Sequence, residues 1–446
     1  MNTPFYDAMA ALAARGPRFF VPGHKGNPAA IPAFGPLLAY DLTEIEGADD
    51  LAHPAGPLAE SQRNMARAYG SGATLYSASG ATSCVQAMLR LFVPAGGGVV
   101  MARGCHVAAV RALAFLDAAP HWVPLRAGRP QPQDIAAALR ASGYKAVYIT
   151  SPDYTGRMAD VAGIAAVCRE NGAALLVDNA HGAHLRFCAP DRHPLTLGAD
   201  ACADSAHKTL PCLTPAALLH LRDKTLADAG REALNLFCST SPAYPVLMSL
   251  DLAAGQLLDA PPDFDGAARR LARAARPAAA LLLPCDDTLR LCLCPAAAGL
   301  SYGKAMARLK AAGIAPEWAD GSCIVLMASP YNTEADFAQL EAVIEQLKQD
   351  AGKNQGKSCD NSTHSKDGGR DALHAGALPK RLLSIREALL APHRRLPVEG
   401  AVGRVVGGLH APCPPGVPVV LPGEVLGEAQ AEALGRGGIL AVDVVE

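Results

Sequence analysis

The chain has 446 residues, of which 50% are hydrophobic and 18% are charged, and its formal net charge at pH 7 is -2. This length predicts two or three domains, and the composition excludes global disorder, charge-driven binding of nucleic acid, and an apolar run of the roughly 18 residues that a membrane span needs. Thirteen cysteines, an odd number without a repeated C-x-x-C spacing, predict reduced thiols in a cytoplasmic protein.

The first part of the chain is predicted to hold an N-terminal segment, residues 1–70, followed by an α/β domain, residues 71–260. In the α/β domain, strand-like runs alternate with helix-like runs, which is typical of βαβ units around a mainly parallel sheet. The predicted strands are Val99–Ala102, Ala146–Thr150 and Ala173–Asp178, and the predicted helices are Ala81–Phe92, Val107–Leu116, Ile135–Ala141 and Val161–Asn171. We expect a ligand to bind at the carboxyl ends of these strands.

Residues 261–348 are predicted to form a small α/β domain, and residues 371–446 a short C-terminal α+β domain that opens with a helix at Pro379–Leu390. Lys, Asn, Gly, Ser and Asp dominate residues 349–370, which indicates a flexible linker between the two. In the small domain, a helix that breaks near Pro277 precedes a β-α-β-α order at Leu289–Cys294, Tyr302–Ala312, Ser322–Ala328 and Thr333–Leu347.

Two charged residues mark the ends of strands in the α/β domain. Asp178 ends the apolar run Ala173–Val177, and Lys208 follows a second short strand of mostly small residues. A carboxylate and a lysine at the ends of two parallel strands can hold opposite ends of pyridoxal 5'-phosphate (PLP). The lysine would bind the aldehyde of this cofactor, and the aspartate would keep its pyridine nitrogen protonated. A solvated surface lysine and a capping aspartate are the ordinary alternatives.

Residues near this pair predict the rest of a cofactor site. Ser77–Ser83 precedes a helix and offers backbone N–H groups and hydroxyls to a phosphate, although such a stretch is most often a simple N-cap. The candidate phosphate ligands are Gly80, Ala81 and Thr82, joined by Ser205 and His207 from the lysine motif. Ala180 is small enough for a ring to lie close to the backbone, while His106 is a candidate for ring stacking and His181 for hydrogen bonding.

Two further groups of polar residues have ordinary explanations as well as functional ones. Asp49 and Asp50 belong to an acidic patch that suits a substrate with a cationic tail, but such patches are usually only solvated loops. His181 and His184 have the spacing of metal ligands without an evident third ligand, and Gly182 favours a loop. No metal site is therefore predicted.

Motifs spread along the chain carry a family resemblance. They are Phe20–Gly26 (FVPGHKG), Ser151–Gly156 (SPDYTG), Ser241–Pro245 (SPAYP), Ala411–Gly416 (APCPPG) and Pro422–Glu424 (PGE). With the acidic patch and the motifs around Asp178 and Lys208, they resemble the Orn/Lys/Arg decarboxylase family over nearly the whole chain.

The resemblance implies PLP fold type I, with an aspartate-aminotransferase-like large domain, in a homodimer or larger homo-oligomer whose active sites lie at the subunit interface. It also implies decarboxylation of arginine, lysine or ornithine to an amine of the polyamine pathway. By position, Lys208 would bind PLP, Asp178 would pair with the ring nitrogen, and His106 would stack on the ring. The remaining implied roles are phosphate binding by Thr82, Ser205 and His207, catalysis by Lys208, His106 and His207, and substrate binding by Asp49, Asp50 and Glu424.

The chain departs from the usual family pattern at several positions. Asn179 stands where Glu is common, Ala81 and Ala206 where Ser or Thr is common, and Val107-Ala108 where Lys-Ser is common. The lost hydroxyls predict a weaker grip on the phosphate unless backbone N–H groups suffice. Two alternatives stay open: another fold-type-I PLP reaction, either aminotransfer or lyase chemistry, and a PLP-binding homologue without catalysis.

Overall fold

The computed structural model describes residues 1–352, 378–411 and 416–446. The chain forms two compact units, each assembled from several segments. The first unit comprises Met1–Val99, Tyr144–Ser151 and Val161–Pro262, and the second comprises Val100–Gly143, Pro152–Asp160 and Asp263–Glu446.

Helices and strands alternate through most of the described chain. The α-helices are α1 (Pro4–Ala13), α2 (Gly35–Leu38), α3 (Pro57–Tyr69), α4 (Gly80–Phe92), α5 (Val107–Leu116), α6 (Pro132–Ser142), α7 (Val161–Glu170), α8 (Ala206–Thr209), α9 (Ala227–Asn235), α10 (Tyr244–Asp259), α11 (Phe264–Ala275), α12 (Tyr302–Ala311), α13 (Glu334–Gly352), α14 (Ile385–Leu390) and α15 (Glu428–Arg436). The strands are β1 (Ala73–Ser77), β2 (Gly98–Ala102), β3 (Ala119–Val123), β4 (Ala146–Thr150), β5 (Ala174–Asp178), β6 (Ala201–Asp204), β7 (Ala217–Leu221), β8 (Arg290–Leu293), β9 (Trp318–Ala319), β10 (Ile324–Met327), β11 (His393–Pro397) and β12 (Ala441–Val445). None of the described helices is both long and apolar enough to cross a membrane.

A mainly parallel sheet forms the centre of the first unit, in the order β1-β7-β6-β5-β4. β4, β5 and β6 run parallel, while β7 runs antiparallel to both of its neighbours, β6 and β1. The register places Thr150 opposite Asp178 and Asp178 opposite Ala203. The middle of β5 is fully buried and apolar, as expected of a parallel strand that is covered on both faces.

Among the described residues, hydrophobic clusters fill the C-terminal half of the second unit, and two of them pack helices against small sheets. The first lies between helices α11 to α13 and the antiparallel sheet β8-β10-β9, with Leu291, Leu309 and Ile324 at its centre. The other lies between α15 and the antiparallel pair β11–β12, and it buries Leu434 and Val442. Each cluster covers one face of a small sheet with helices, which is a common way to close an α+β core.

Most of the predicted elements are confirmed within a few residues, including the three predicted strands, the four predicted helices of the α/β domain and the break near Pro277. One helix is shorter than predicted: α14 begins at Ile385 instead of near Pro379. Ser384 caps the first turn of this helix in a reciprocal capping box with Glu387. The Leu382 N–H, before the cap, donates to the carbonyl of Gly423 and not to a carbonyl within a helix. The predicted domain boundaries stay predictions. Of the predicted linker, residues 349–352 belong to α13, and residues 353–370 lie outside the described residues.

Gly72, just before β1, is enclosed by main-chain atoms. A Cβ atom at this position would lie 2.2 Å from the carbonyl oxygen of Arg222 and 2.7 Å from the backbone nitrogen of Lys224. These atoms follow β7, which pairs with β1, so they can move only if the strand pair is disturbed. We expect Gly72→Ala to lower the free energy of unfolding by about 1–3 kcal/mol in urea denaturation.

Gly303→Ala in α12 is the matched control, because a Cβ atom there would meet no atom within 4 Å. This substitution should be neutral or slightly stabilising, since alanine favours a helix. An equal loss of stability in both variants would contradict the steric explanation.

Candidate active site

Asp178 lies at the carboxyl end of β5, where its side chain is buried and held by two donors. The Tyr148 hydroxyl donates to Oδ2 at 3.0 Å, and the Ala180 N–H donates to Oδ1 at 3.1 Å. Hydrogen bonds of this kind stabilise a carboxylate in its ionised form. Tyr148 was not predicted from the sequence, although β4 places it next to β5 and two residues before Thr150, the partner of Asp178.

Lys208 lies in the turn that follows β6, the parallel neighbour of β5. Ser205 begins this turn, and the one-turn helix α8 carries the lysine, which is half-buried. The Lys208 Nζ atom lies 2.9 Å from Nε2 of His181, a residue of the loop after β5. Asp178 and Lys208 therefore leave the same edge of the sheet, at the ends of adjacent strands. The predicted hydrogen-bonding role of His181 at a cofactor stays a prediction.

The other residues of the lysine motif lie on the same turn. His207 is half-buried, and its Nδ1 atom lies 2.9 Å from the carbonyl oxygen of Ala216. A carbonyl oxygen can only accept, so Nδ1 carries a hydrogen and the neutral ring has its lone pair on Nε2. Ser205 is buried, and its side chain does not cap α8. The phosphate roles of Ser205 and His207 stay predictions.

α4 follows β1 after a short loop, and its first turn contains the predicted phosphate ligands Gly80, Ala81 and Thr82. Gly80 begins the helix with a φ of 79°, and the side chain of the preceding residue, Ser79, does not cap it. The hydroxyls of Ser77 and Ser83 lie 2.7 Å apart and bond to each other. The first-turn N–H groups, including that of Thr82, have no carbonyl partner within the helix, and such groups can bind an anion. The phosphate roles of Gly80, Ala81 and Thr82 stay predictions.

His106, a residue of the second unit, begins α5. Its Nδ1 atom accepts the Ala108 N–H at 3.1 Å, so the hydrogen of the neutral ring lies on Nε2. The backbone of Gly416 packs against the ring, because a Cβ atom on Gly416 would lie 2.6 Å from Nε2. The Val107 N–H also donates to the carbonyl of Gly416, so two contacts set the orientation of the ring. Stacking of His106 on a cofactor stays a prediction.

Glu424, predicted as a substrate residue, is buried in the second unit and paired with Arg103. The two guanidinium nitrogens of Arg103 donate to the two carboxylate oxygens at 2.7 Å each. The Leu421 N–H also donates to Oε2, and the Arg103 guanidinium lies over the ring of Trp122, 5.3 Å from its centre. Only 3% and 2% of the two charged side chains are exposed, so the pair is shielded from solvent.

The two acidic residues predicted to bind a substrate differ in how their carboxylates are used. Asp49 accepts backbone N–H groups from four positions, Asp50, Ala55, Gly56 and Leu58, and thereby holds its loop together. Asp50 accepts the N–H of Ala52 and pairs with His53, and 44% of its side chain is exposed. Asp50 therefore keeps an accessible negative charge, whereas the oxygens of Asp49 are largely occupied.

One buried group of polar side chains was missed by the sequence analysis. His193, Asp204 and His220 offer atoms within 4.8 Å of one another, close enough in principle to share a metal ion. The three residues belong to different elements of the first unit, so no spacing in the sequence reveals them. No metal site was predicted from the sequence.

Comparisons with known proteins show which family the chain is similar to. The family model for the major domain of the Orn/Lys/Arg decarboxylases matches residues 3–261, and the model for their C-terminal domain matches residues 384–435. An arginine decarboxylase of Halalkalibacterium halodurans is 27% identical over 461 aligned positions, which cover 96% of this chain and 92% of that protein. The uncharacterized protein YaaO of Bacillus subtilis is 35% identical over 276 residues, which cover 57% of this chain and 56% of YaaO.

The fold is also that of a solved decarboxylase. The constitutive lysine decarboxylase of Escherichia coli superposes with a TM-score of 0.77 at 17% identity, and the match covers 100% of this chain and 81% of that one. The predicted α/β fold class is thereby confirmed.

The buried Arg103–Glu424 pair makes a prediction about stability. Arg103→Met should lower the free energy of unfolding by about 3–5 kcal/mol, because it leaves a buried carboxylate without its counter-charge. The double variant Arg103→Met/Glu424→Leu should recover most of this loss, because it removes both charges together. Urea denaturation of the three proteins measures both effects. If the double variant is as unstable as Arg103→Met, the loss of stability does not come from a buried carboxylate without its counter-charge.

Proposed function

Because the chain belongs to the Orn/Lys/Arg decarboxylase family, we propose that it uses PLP to decarboxylate a basic amino acid: arginine, lysine or ornithine. The observation that carries this proposal is the placement of Asp178 and Lys208 at the carboxyl ends of the adjacent parallel strands β5 and β6. The product would be the corresponding amine of the polyamine pathway. The homodimer implied by the family resemblance stays a prediction.

The residues of the first unit fit PLP at three points. The Asp178 carboxylate, which Tyr148 and the Ala180 N–H stabilise as an anion, suits a protonated pyridine nitrogen. The Lys208 amine, which lies 2.9 Å from Nε2 of His181, is the nucleophile that would bind the aldehyde of PLP. The first turn of α4 offers N–H groups to a phosphate. When bound, PLP supplies an electron sink for the charge that a departing carboxylate leaves behind.

The protein's own residues would then place the substrate and move one proton. The buried surroundings of Asp178 would keep water away from the ring nitrogen, and stacking of His106 on the ring stays an implication of the family resemblance. The proton that replaces the carboxylate at the substrate's α-carbon would come from Lys208 or His207, since both can carry a proton on the same turn.

Among the candidate substrate residues, Asp50 is the one we favour for the cationic end of the substrate. Its carboxylate remains accessible, whereas Asp49 is occupied by backbone N–H groups and Glu424 by Arg103. An exposed carboxylate can pair with an ammonium or a guanidinium group, so this contact alone does not choose between lysine, ornithine and arginine.

Lys208→Ala should abolish the visible absorbance band of lysine-bound PLP, because the covalent link needs the ε-amine. Absorbance spectra after incubation with PLP, followed by borohydride reduction and peptide mass mapping, test this. Lys224→Ala, at an exposed lysine after β7, is the matched control and should keep the band. A reduced PLP label on a different lysine of the wild-type protein would refute the assignment.

Carbon dioxide release from a panel of arginine, lysine and ornithine tests the reaction. We expect release from at least one of the three, and we expect Asp50→Asn to raise KM for that substrate about tenfold or more, because a charged partner is lost. Glu46→Gln, at an exposed acid of the same patch, should leave KM unchanged. A protein that binds PLP covalently but releases no carbon dioxide from any of the three would favour aminotransfer, another lyase reaction or a non-catalytic role.

A further inference from the structure

Beneath the candidate site, a second contact joins the ends of β5 and β6. Asn179, the residue after Asp178, and Asp204, the last residue of β6, are both fully buried. The Asn179 side-chain amide donates from Nδ2 to Oδ1 of Asp204 at 2.7 Å. The backbone continues the pairing at this point, since the Asn179 N–H donates to the carbonyl of Ala203 at 2.9 Å.

Two histidines complete the surroundings of Asp204. Nε2 of His193 lies 3.1 Å from Oδ2 of Asp204, and Nε2 of His220 lies 3.4 Å from the same oxygen. The far side of the His220 ring is also held, because its Nδ1 lies 2.8 Å from the hydroxyl of Thr74. The ring of Tyr69 packs against both imidazoles, with centres 5.0 Å from His193 and 4.3 Å from His220.

This cluster stabilises a buried negative charge on Asp204. Burial by itself raises the pKa of Asp204, but the neighbouring imidazoles of His193 and His220 outweigh burial and hold this pKa well below its usual range. Burial lowers the pKa of His220, which favours its neutral form. Asp204 is therefore an ionised carboxylate in the interior of the first unit, and each of its oxygens has a partner.

The charge on Asp204 dictates how the Asn179 side chain is oriented. If the amide were reversed, its oxygen would face the carboxylate oxygen at the same 2.7 Å and the two acceptors would repel. Gly182 leaves room for this orientation, because a Cβ atom there would lie 2.1 Å from the Asn179 Oδ1 atom. An acid at position 179, where the family often has Glu, would bring a second negative charge against Asp204.

Only one of the two contacts between the strand ends involves an atom that reacts. The outer contact, between Lys208 Nζ and His181 Nε2, involves the reactive amine and must be released when that amine binds the cofactor. The inner contact, between Asn179 and Asp204, involves no reacting atom and can persist throughout. The contact between Asn179 and Asp204 can therefore maintain the spacing between the strand ends after the contact between Lys208 and His181 has been released.

We propose that Asn179 and Asp204 are a matched positioning pair that sets the spacing of the strand ends carrying Asp178 and Lys208, so that both ends of the cofactor are held together. The pair requires one neutral amide and one carboxylate, and the two histidines anchor the carboxylate from the opposite side. This inference rests on the proposed function, because it presumes that Asp178 and Lys208 hold PLP.

PLP affinity of the apoprotein is the direct test, measured by titration of the visible absorbance band together with circular dichroism of each variant. Asn179→Asp and Asp204→Asn should each weaken PLP binding about tenfold or more, because each leaves a buried polar group with a repelling or missing partner. The double variant Asn179→Asp/Asp204→Asn restores one carboxylate and one amide in exchanged places. It should recover most of the lost affinity, which an additive structural effect would not do.

Two further variants test the proposal even if Asn179→Asp or Asp204→Asn folds poorly. Asn179→Ala removes the donor without adding a charge, so it should weaken PLP binding in the same direction while the fold is kept. Asp251→Asn is the matched control: Asp251 is also a fully buried carboxylate of the first unit, and it accepts the Tyr6 N–H at 2.8 Å. It should lower the unfolding midpoint of the apoprotein and leave PLP affinity unchanged.

Three results would overturn the proposal. Wild-type affinity in Asn179→Ala and Asp204→Asn would show that the pair does not position the site, and failure of the exchanged double variant to recover would show that the two residues are not matched. One equivalent of metal in the purified protein, lost in His193→Gln, would mean that His193, Asp204 and His220 bind a metal ion and that His193 and Asp204 are not simply hydrogen-bonding partners. By contrast, a wild-type protein that binds no PLP would refute the proposed function itself.

Discussion

The parallel pairing of β5 with β6 is the constraint on which the candidate site depends. Parallel neighbours end at the same edge of a sheet, so Asp178 and the turn that carries Lys208 emerge side by side. β4 also runs parallel to β5, which brings the Tyr148 hydroxyl to the Asp178 carboxylate. A shift of one residue in this pairing would turn the Asp178 side chain to the opposite face of the sheet.

The sequence predicts the strongly patterned elements well and the antiparallel edge of the first sheet poorly. β4 and α5 have the predicted bounds, because their apolar residues recur with a clear local period. β1 and β7 were not predicted. Their pairing joins Ala73 to Leu221, and Thr74 and His220 interrupt the apolar pattern with polar side chains that only meet in the folded chain. Distant pairing of this kind leaves no periodic signal in either segment.

The residues of the candidate site also differ in how well the sequence predicts them. Asp178 and Lys208 lie in short motifs whose residue types point to their chemistry, so the sequence alone proposes them as candidates. Tyr148 and Asp204 act through partners on other strands. The local sequence around an acid at the end of a strand does not show whether the carboxylate faces a cofactor or two buried histidines. Likewise, the acidic patch contains both Asp49, which organises its loop, and the more accessible Asp50, and composition does not separate the two.

The Arg103–Glu424 pair joins positions that are 321 residues apart in the chain. During synthesis, Arg103 leaves the ribosome long before its partner exists, so its guanidinium must remain hydrated while most of the protein is made. The second unit can exclude water from this arginine only after residue 424 has been translated. Its interior is consequently completed after translation has passed that residue, and until then the nascent chain presents an unfinished surface to chaperones and proteases.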